Sequence, residues 1–427
     1  MTLTLILSVV FLLAMLGMPL FAVILAIASA GFAVSGVDLS VIAIELYRIT
    51  DTPVLSALPL FTVAGCILGA SNTSSRLVRL TSAFMGWMPG GLAVVSFITC
   101  ALFTAFTGAS GVTIVAVGAL LLPALVEAGY QEKFSLGLVT TSGSLGLLLP
   151  PSLPLILYGI VAQQITPESN LEISDLFIAG ILPGVVMILL LSLWSIQTNR
   201  KKNLPLKGFS WGRARAAIRE SAWEIPLPIF LVAGIYGGYF AISEAAAVVA
   251  VYVIIVEVFI YREVPVKTLP AILREAMLMV GGILLILGVS LAFTNYLIDA
   301  EIPMKLFRLI QAHITGKLTF LIILNLLLLA LGAILDIFSA IVIMVPLILP
   351  VALNFGIHPV HLGIIFLANM QIGYFTPPVG MNLFIASYRF NKPITELYSS
   401  AVPFMIVMLV ALAVITYCPA LSLIFLK

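Results

Sequence analysis

Residues 140–159 read TTSGSLGLLLPPSLPLILYG, and residues 361–390 read HLGIIFLANMQIGYFTPPVGMNLFIASYRF. Each belongs to an apolar run of membrane-crossing length, interrupted near its middle by glycine, hydroxyl residues and a Pro-Pro step. The two also correspond in position. Pro123 precedes Pro150 by 27 residues and Pro350 precedes Pro377 by 27, which sets an offset of 227. At that offset Gly129 falls on Gly356, Gly146 on Gly373, and Pro150-Pro151 on Pro377-Pro378. After a six-residue deletion, Ile173-Ser174-Asp175-Leu176-Phe177 matches Ile394-Thr395-Glu396-Leu397-Tyr398. Upstream, Asn72 and Asn295 each precede a basic amphipathic stretch, Arg76–Arg79 and Lys305–Arg308. The chain therefore contains an internal repeat, and the repeat governs how the rest is read.

Composition fixes the setting. Of 427 residues, 62% are hydrophobic and 9% charged, against about 25% charged in a soluble domain. A soluble fold and a disordered chain are excluded. A net charge of +2 is too small for a nucleic-acid surface, so no nucleic-acid partner is expected. Cys66, Cys100 and Cys418 stand singly in apolar runs and read as small core residues. The N-terminal run 1–34 lacks Lys and Arg and is too long for a signal-peptide core, so it reads as a retained first helix with a kink at Gly17 and Pro19. The fold class is an all-α polytopic membrane protein in contact with membrane lipid.

Basic clusters orient the spans. Arg200, Lys201, Lys202, Lys207, Arg213, Arg215 and Arg219 fill the loop 198–224, which is cytoplasmic by the positive-inside rule. Arg76, Arg79 and Lys133 mark the same side, so the run 90–128 between them must enter and return as a re-entrant hairpin. Segment 317–356 is its counterpart from the other side. The segment 164–175 carries Glu168, Glu172 and Asp175 without a basic residue, and Glu45, Arg48 and Asp51 read as an outside amphipathic loop. Lys305, Arg308 and Lys317 fall outside, against the rule.

The first repeat, 1–224, then comprises helices 1–34 and 53–72, hairpin 90–128, broken helix 134–163, helix 176–197 and the loop 198–224. A linking span, 225–243, precedes the second repeat, 244–427, with helices 244–260 and 272–298, hairpin 317–356, broken helix 360–388 and helix 400–418. The loop after the first Pro-Pro helix is acidic and the loop after the second holds Arg389 and Lys392, so the two copies are expected in inverted topology. The simpler alternative is that Pro-Pro merely kinks two ordinary helices.

Inverted repeats with discontinuous helices place solute and ion sites at the interruptions. Backbone polar groups unsatisfied in hydrocarbon are tolerated only where they are packed or line a polar cavity. Half-helices that start at a tip or break aim N–H groups inward and favour an anion such as a carboxylate. Half-helices that end there leave carbonyls free, and a Pro-Pro step removes donors that would have engaged them. Such oxygens suit Na+. Ser110, Gly111, Ser152, Ser339 and Asn382 are the candidate substrate contacts. Gly108, Ser110, Thr113, Ser144, Asp336, Gly373 and Thr376 are the candidate Na+ ligands. The competing reading of the hydroxyl residues is bonding to their own helix or to a neighbour; for Asp336 it is a cap for the helix that follows. Glu127 reads as interfacial, and Glu244 and Glu257 as interface or interhelix groups. His358 and His361 stand close enough to be considered as a metal pair, and Gly237-Gly238 and Gly281-Gly282 read as close-packing sites in apolar helices. No nucleotide-binding loop or catalytic set is present, so no cofactor is expected and transport must draw on an ion gradient or a partner.

The stretches PLFTVAGCILGAS (59–71), FTGASGVTIVAVGALLLPALVEAGY (106–130), LDIFSAIVIMVPLILP (335–350) and the two quoted above resemble the large membrane subunit of TRAP (tripartite ATP-independent periplasmic) transporters over essentially the whole chain. The resemblance implies a permease of the bacterial inner membrane that imports small organic acids with Na+. It implies two partners, a periplasmic substrate-binding protein and a four-helix small membrane subunit, here a separate chain. It also implies an elevator motion in which 74–88 and 301–314 are arms holding the moving part. One departure is the first tip, Thr107-Gly108-Ala109-Ser110-Gly111, where many relatives place Ser-Gly-Ser-Ala; the Na+ ligands at this tip stay unassigned. A stand-alone Na+/anion symporter of similar architecture is the alternative.

Overall fold

A computed structural model of the chain describes residues 8–10, 12–14, 16–48, 52–88, 90–166, 171–200, 208–314 and 316–426. The first residues of segment 1–34, together with Asp51, Glu168, Lys201, Lys202 and Lys207, lie outside the described residues. Those described form helices joined by turns and bends. The chain order is α1 (Leu20–Ser35), α2 (Ser40–Arg48), α3 (Ala57–Ala70), α4 (Thr73–Met85), α5 (Gly91–Thr107), α6 (Ser110–Glu127), α7 (Glu132–Ser142), α8 (Leu153–Ile165), α9 (Ile173–Asn199) and α10 (Trp211–Glu220). There follow α11 (Pro226–Tyr236), α12 (Ile242–Ile254), α13 (Leu269–Asp299), α14 (Ile302–His313), α15 (Lys317–Ile334), α16 (Ile337–Asn354), α17 (Pro359–Gly373), α18 (Met381–Phe390), α19 (Ile394–Tyr417) and α20 (Ala420–Leu423).

Eight helices among the described residues are long and apolar enough to cross a membrane, and a ninth results if the pair Glu132–Leu148 and Leu153–Ile165, bent by 42°, is one span. Segment 1–34 is not one rod. Gly17 sits at φ +92° and Pro19 precedes Leu20 in extended conformation, so α1 starts only there and ends on Gly36 at φ +70°. A proline before the first turn and a left-handed glycine after the last are what the backbone of a helix end favours. The segment 225–243 also differs from a full span. Its helix, α11, has 11 residues, about 16 Å at 1.5 Å per residue, well short of a ~30 Å hydrocarbon layer.

Packing divides the helices into two groups. Helices α1, α3, α12 and α13 lie against one another. The second group gathers α5–α9 and α15–α19: α7 runs along α19, α15 along α17, and α16 along α8. The amphipathic helices α4 and α14 lie between the groups, α4 against α5 and α14 against α16. Cores in both groups are apolar and tightly closed; Phe97, Phe103, Tyr158, Phe177, Phe366 and Phe404 are among the largest fully buried side chains.

Positions related by the 227-residue offset share their geometry. Both Pro150-Pro151 and Pro377-Pro378 are cis, and Gly129 and Gly356 turn at φ +88° and +69°. A Cβ on Gly146 would run into the backbone of Ala101 and Ala105, and one on Gly373 into that of Gly332, the residue equivalent to Ala105. Ser144 Oγ donates to the carbonyl of Gln371 at 3.0 Å, and these two residues are themselves equivalent. The Gly281-Gly282 pair behaves otherwise: a Cβ on either meets nothing within 4 Å, so close packing does not account for it. Cys100 is buried as a core residue should be, whereas Cys418 is exposed.

Candidate functional site

Four interruptions of the helices meet. The first is the turn between α5 and α6, where Gly108 adopts φ +65°, which ends α5, and Ala109 is extended before α6 begins at Ser110. The second separates α7 from α8: Gly143 ends α7, one short 3-10 turn covers Leu145–Leu148, and Ser152 is extended before α8. The third lies between α15 and α16, at Leu335 and Asp336. The fourth, Tyr374–Gly380, lies between α17 and α18.

Specific contacts tie these interruptions together. Thr104 Oγ1 donates to the Gly143 carbonyl at 2.8 Å and lies 2.6 Å from Thr113 Oγ1, joining the first tip to the first break. Ser110 Oγ donates to Asn382 Oδ1 at 2.8 Å, joining the first tip to the second break. Asn382 is fully buried and held from both sides, its N–H donating to the Tyr374 carbonyl at 2.9 Å and its Nδ2 to the Thr140 carbonyl at 3.4 Å. Ser144 bridges the two breaks through Gln371. At the second tip, the Gly380 N–H donates to the Ala333 carbonyl at 2.9 Å and the Ile337 N–H to Tyr374 Oη at 2.9 Å. The hydroxyl, amide and carbonyl oxygens assembled here are hard ligands suited to an alkali cation. No group of three or more His, Cys, Asp or Glu able to hold a metal is found among the described residues.

The sequence candidates are distributed unevenly over this junction. Ser110, Thr113, Ser144, Asn382, Gly108 and Gly373 belong to it directly. Gly111 lies beside it, where a Cβ would press on Ile385. Ser152 is fully buried, and its hydroxyl has no hydrogen-bond partner. Asp336 is exposed and caps α16: Oδ1 accepts from the Phe338 and Ser339 N–H groups, each at 3.0 Å, and Oδ2 accepts from the Ser339 hydroxyl. Ser339 is thereby engaged by its own helix end. Thr376 donates to the Ile372 carbonyl at 2.8 Å and approaches Met405 Sδ at 3.7 Å, so it faces its own helix and α19 rather than the other candidates.

Four residues outside the candidate set contribute. Thr104 and Thr140 meet the tips and breaks through bonds to distant residues. Gln371 supplies a bridging carbonyl, and its buried Oε1 has no partner. Tyr374 receives the first N–H of α16 although it is 37 residues away. Thr140, Gln371 and Tyr374 carried a signal, since they fall within the two interrupted stretches themselves; Thr104 did not. The histidines are accounted for without a metal. His358 accepts from the Val360 N–H at 3.3 Å, and the His361 ring lies 3.2 Å from Ser422 Oγ and 3.3 Å from the Thr416 carbonyl.

Replacing Ser110 with alanine is expected to leave Asn382 Oδ1 buried without its donor, at a cost of about 1–3 kcal/mol. Thermal unfolding of the detergent-solubilised protein measures it, and an unchanged midpoint would mean that the first tip does not depend on this bond.

The geometry defines a class: a polytopic helical permease whose polar backbone interruptions converge inside the bundle. A family model described as "Tripartite ATP-independent periplasmic transporter, DctM component" matches residues 7–421, and the chain belongs to that family of transport permeases, which are not enzymes. It is 35% identical over 401 residues to the C4-dicarboxylate TRAP transporter large permease protein DctM of Rhodobacter capsulatus, covering 92% of this chain and 91% of that one. It is 34% identical to the isethionate TRAP transporter permease protein DctMQ of Oleidesulfovibrio alaskensis, covering 88% of this chain but only 58% of that longer protein. The ectoine TRAP transporter large permease protein TeaC of Halomonas elongata is 30% identical, with 86% and 85% covered. Among solved structures, the YdaH transporter of Alcanivorax borkumensis superposes with a TM-score of 0.59 at 14% identity, over 86% of this chain and 84% of that one, a likeness of fold.

Proposed function

We propose that this chain is the large permease subunit of a Na+-coupled importer of a small organic acid in the bacterial inner membrane. It receives the solute from a periplasmic binding protein, works beside a separate small four-helix membrane subunit, and carries solute and Na+ by an elevator motion of the α5–α8 and α15–α18 elements. The halves are inverted copies, and α4 and α14 are the arms. The observation that carries this reading is the convergence of both tips and both breaks through Ser110–Asn382, Thr104–Gly143, Ser144–Gln371 and Gly332–Gly373. A contact between the equivalent residues Ser144 and Gln371 is what a two-fold relation between the halves puts on its axis.

The chemistry of the helix ends favours an anion. Helices α6, α8, α16 and α18 all begin at the junction, and the start of α16 is already neutralised by the Asp336 carboxylate. The carboxylate of the solute is therefore assigned to the starts of α6, α8 and α18, with Ser110, Ser152 and Asn382 nearest. The relatives' solutes, a C4-dicarboxylate, isethionate and ectoine, all carry an acidic group. The extra length of the DctMQ relative leaves room for a fused small subunit, the kind of partner this reading assigns to the permease.

Proteoliposome uptake tests the proposal. With the small subunit, the cognate binding protein and an inward Na+ gradient, the organic acid should accumulate, and replacing Na+ by K+ should reduce uptake to the level of empty vesicles. Full uptake in K+ would overturn Na+ coupling. Na+-driven uptake without any binding protein would instead favour a stand-alone symporter.

A further inference from the structure

A cavity of 660 Å3 lies between α4, the start of α5, the end of α6 and α10, away from the junction of tips and breaks. It stands on the side marked by the basic loop 198–224. Trp87, between the lining residues Gly86 and Met88, and Trp211, two residues before the lining Arg213, are both exposed, as tryptophan is where a membrane meets water.

Four charged side chains line the cavity, two of each sign. Arg79 and Glu220 satisfy each other at 2.9 Å. The other two are left over. Arg213 gives one nitrogen to the Gly208 carbonyl, and its remaining N–H groups meet no acceptor among the described residues. The exposed Glu127 carboxylate has no partner there either. Tyr130 adds a third polar group. It is only 5% exposed, its ring stacks on Phe134, and its oxygen can accept from the Ala93 N–H, but its own proton meets no acceptor among the described residues. Val78, Leu92 and Ala124 make the wall between these groups apolar.

The unspent groups are one cation, one hydroxyl donor and one anion, so the ligand that matches them carries both signs and no net charge. An anionic ligand would bring a charge that Glu127 repels, and a purely polar one would leave the apolar wall wet. We infer that this cavity is a binding site for a zwitterionic phospholipid with a primary-amine headgroup: its phosphate takes the Arg213 guanidinium and the Tyr130 hydroxyl, its ammonium takes the Glu127 carboxylate, and its first acyl carbons lie along Val78, Leu92 and Ala124. Charge-assisted hydrogen bonds of this kind fix a headgroup in a pocket at the membrane boundary. The walls also come from two bodies in the proposed motion, the arm α4 and the base of the first hairpin, α5 and α6. A lipid seated between them favours this arrangement of hairpin and arm by its preference for it. That consequence rests on the elevator reading; the binding itself does not.

The test titrates delipidated full-length protein in maltoside detergent with short-chain phosphatidylethanolamine, short-chain phosphatidylglycerol and free phosphoethanolamine, reading bound ligand by native mass spectrometry. Phosphatidylethanolamine should bind at one saturable site, phosphatidylglycerol about tenfold more weakly, and the free headgroup more weakly still. Glu127→Gln should weaken phosphatidylethanolamine about tenfold and erase its advantage over phosphatidylglycerol. Arg213→Gln and Tyr130→Phe should weaken both lipids. Glu127 and Arg213 are exposed and phenylalanine keeps the ring on Phe134, so the unfolding midpoints of the lipid-free variants should match the wild type and separate lost binding from lost fold. Because no transport is measured, failure here leaves the proposed function untouched. Phosphatidylglycerol binding as tightly as phosphatidylethanolamine, free phosphoethanolamine binding as tightly as the lipid, or unaltered lipid affinity in Glu127→Gln would overturn the proposal.

Discussion

Gly373→Ala should abolish uptake and lower the unfolding temperature. The added Cβ has no flexible side chain to displace, because it is driven into the Gly332 backbone, where the end of α15 crosses the end of α17. Overpacking of this kind costs about 1–3 kcal/mol even where side chains can shift, and a clash between backbones lies at the upper end of that range. The equivalent substitution, Gly146→Ala, meets the backbone of Ala101 and Ala105 and should fail in the same way. Gly281→Ala is the control. Its Cβ meets open space, and alanine is favoured over glycine in a helix by about 1 kcal/mol, so its midpoint should hold or rise. Unfolding midpoints and uptake of the three variants decide the matter. Wild-type uptake with an unchanged midpoint in Gly373→Ala would mean that the second tip is not held against the second break.

These glycines also mark what a sequence can carry. Gly146 and Gly373 were legible as equivalents because a repeat preserves spacing, and spacing is visible along one chain. The helical character and the membrane setting were legible too, since hydrophobic runs are local. What a residue touches is not local. Arg76 looked like one more basic marker of an amphipathic stretch, because its partners Glu224, Glu257 and Glu263 lie 148, 181 and 187 residues away. Tyr374 was one residue of a quoted stretch until the fold brought its hydroxyl to the Ile337 N–H. Gly281-Gly282 misled in the opposite direction: small residues permit close approach, but only a neighbour makes it, and here none comes near. Segment 225–243 read as a span from apolarity alone, while Gly237-Gly238 and Phe240 turn the chain after 11 helical residues. The hydroxyl candidates divide by the same logic. Ser110 and Ser144 bond across elements, whereas Thr376 bonds back to the Ile372 carbonyl, as any membrane-helix threonine can.

Asp336→Asn separates the role this carboxylate is seen to play, a helix cap, from the one proposed for it, a cation ligand. As a cap, Asp336 gives Oδ1 to the Phe338 and Ser339 N–H groups, and asparagine caps a helix as well as aspartate does. The hydroxyl of Ser339, which now donates to Oδ2, can turn and accept from an amide nitrogen in the same place. The variant should therefore insert and unfold like the wild type, while Asp336→Ala, with no cap, should lose about 1 kcal/mol. The charge is what asparagine removes. If the carboxylate neutralises a coupling cation at the second tip, its loss removes a charge-assisted interaction of about 1.5–3 kcal/mol, roughly 10- to 100-fold in cation affinity. Uptake at fixed, subsaturating Na+ should fall by that factor, and the Na+ concentration for half-maximal uptake should rise with it. A variant that transports normally at every Na+ concentration would leave Asp336 as a helix cap alone and move the cation to the uncharged oxygens around Thr104, Thr113, Ser144 and Gln371.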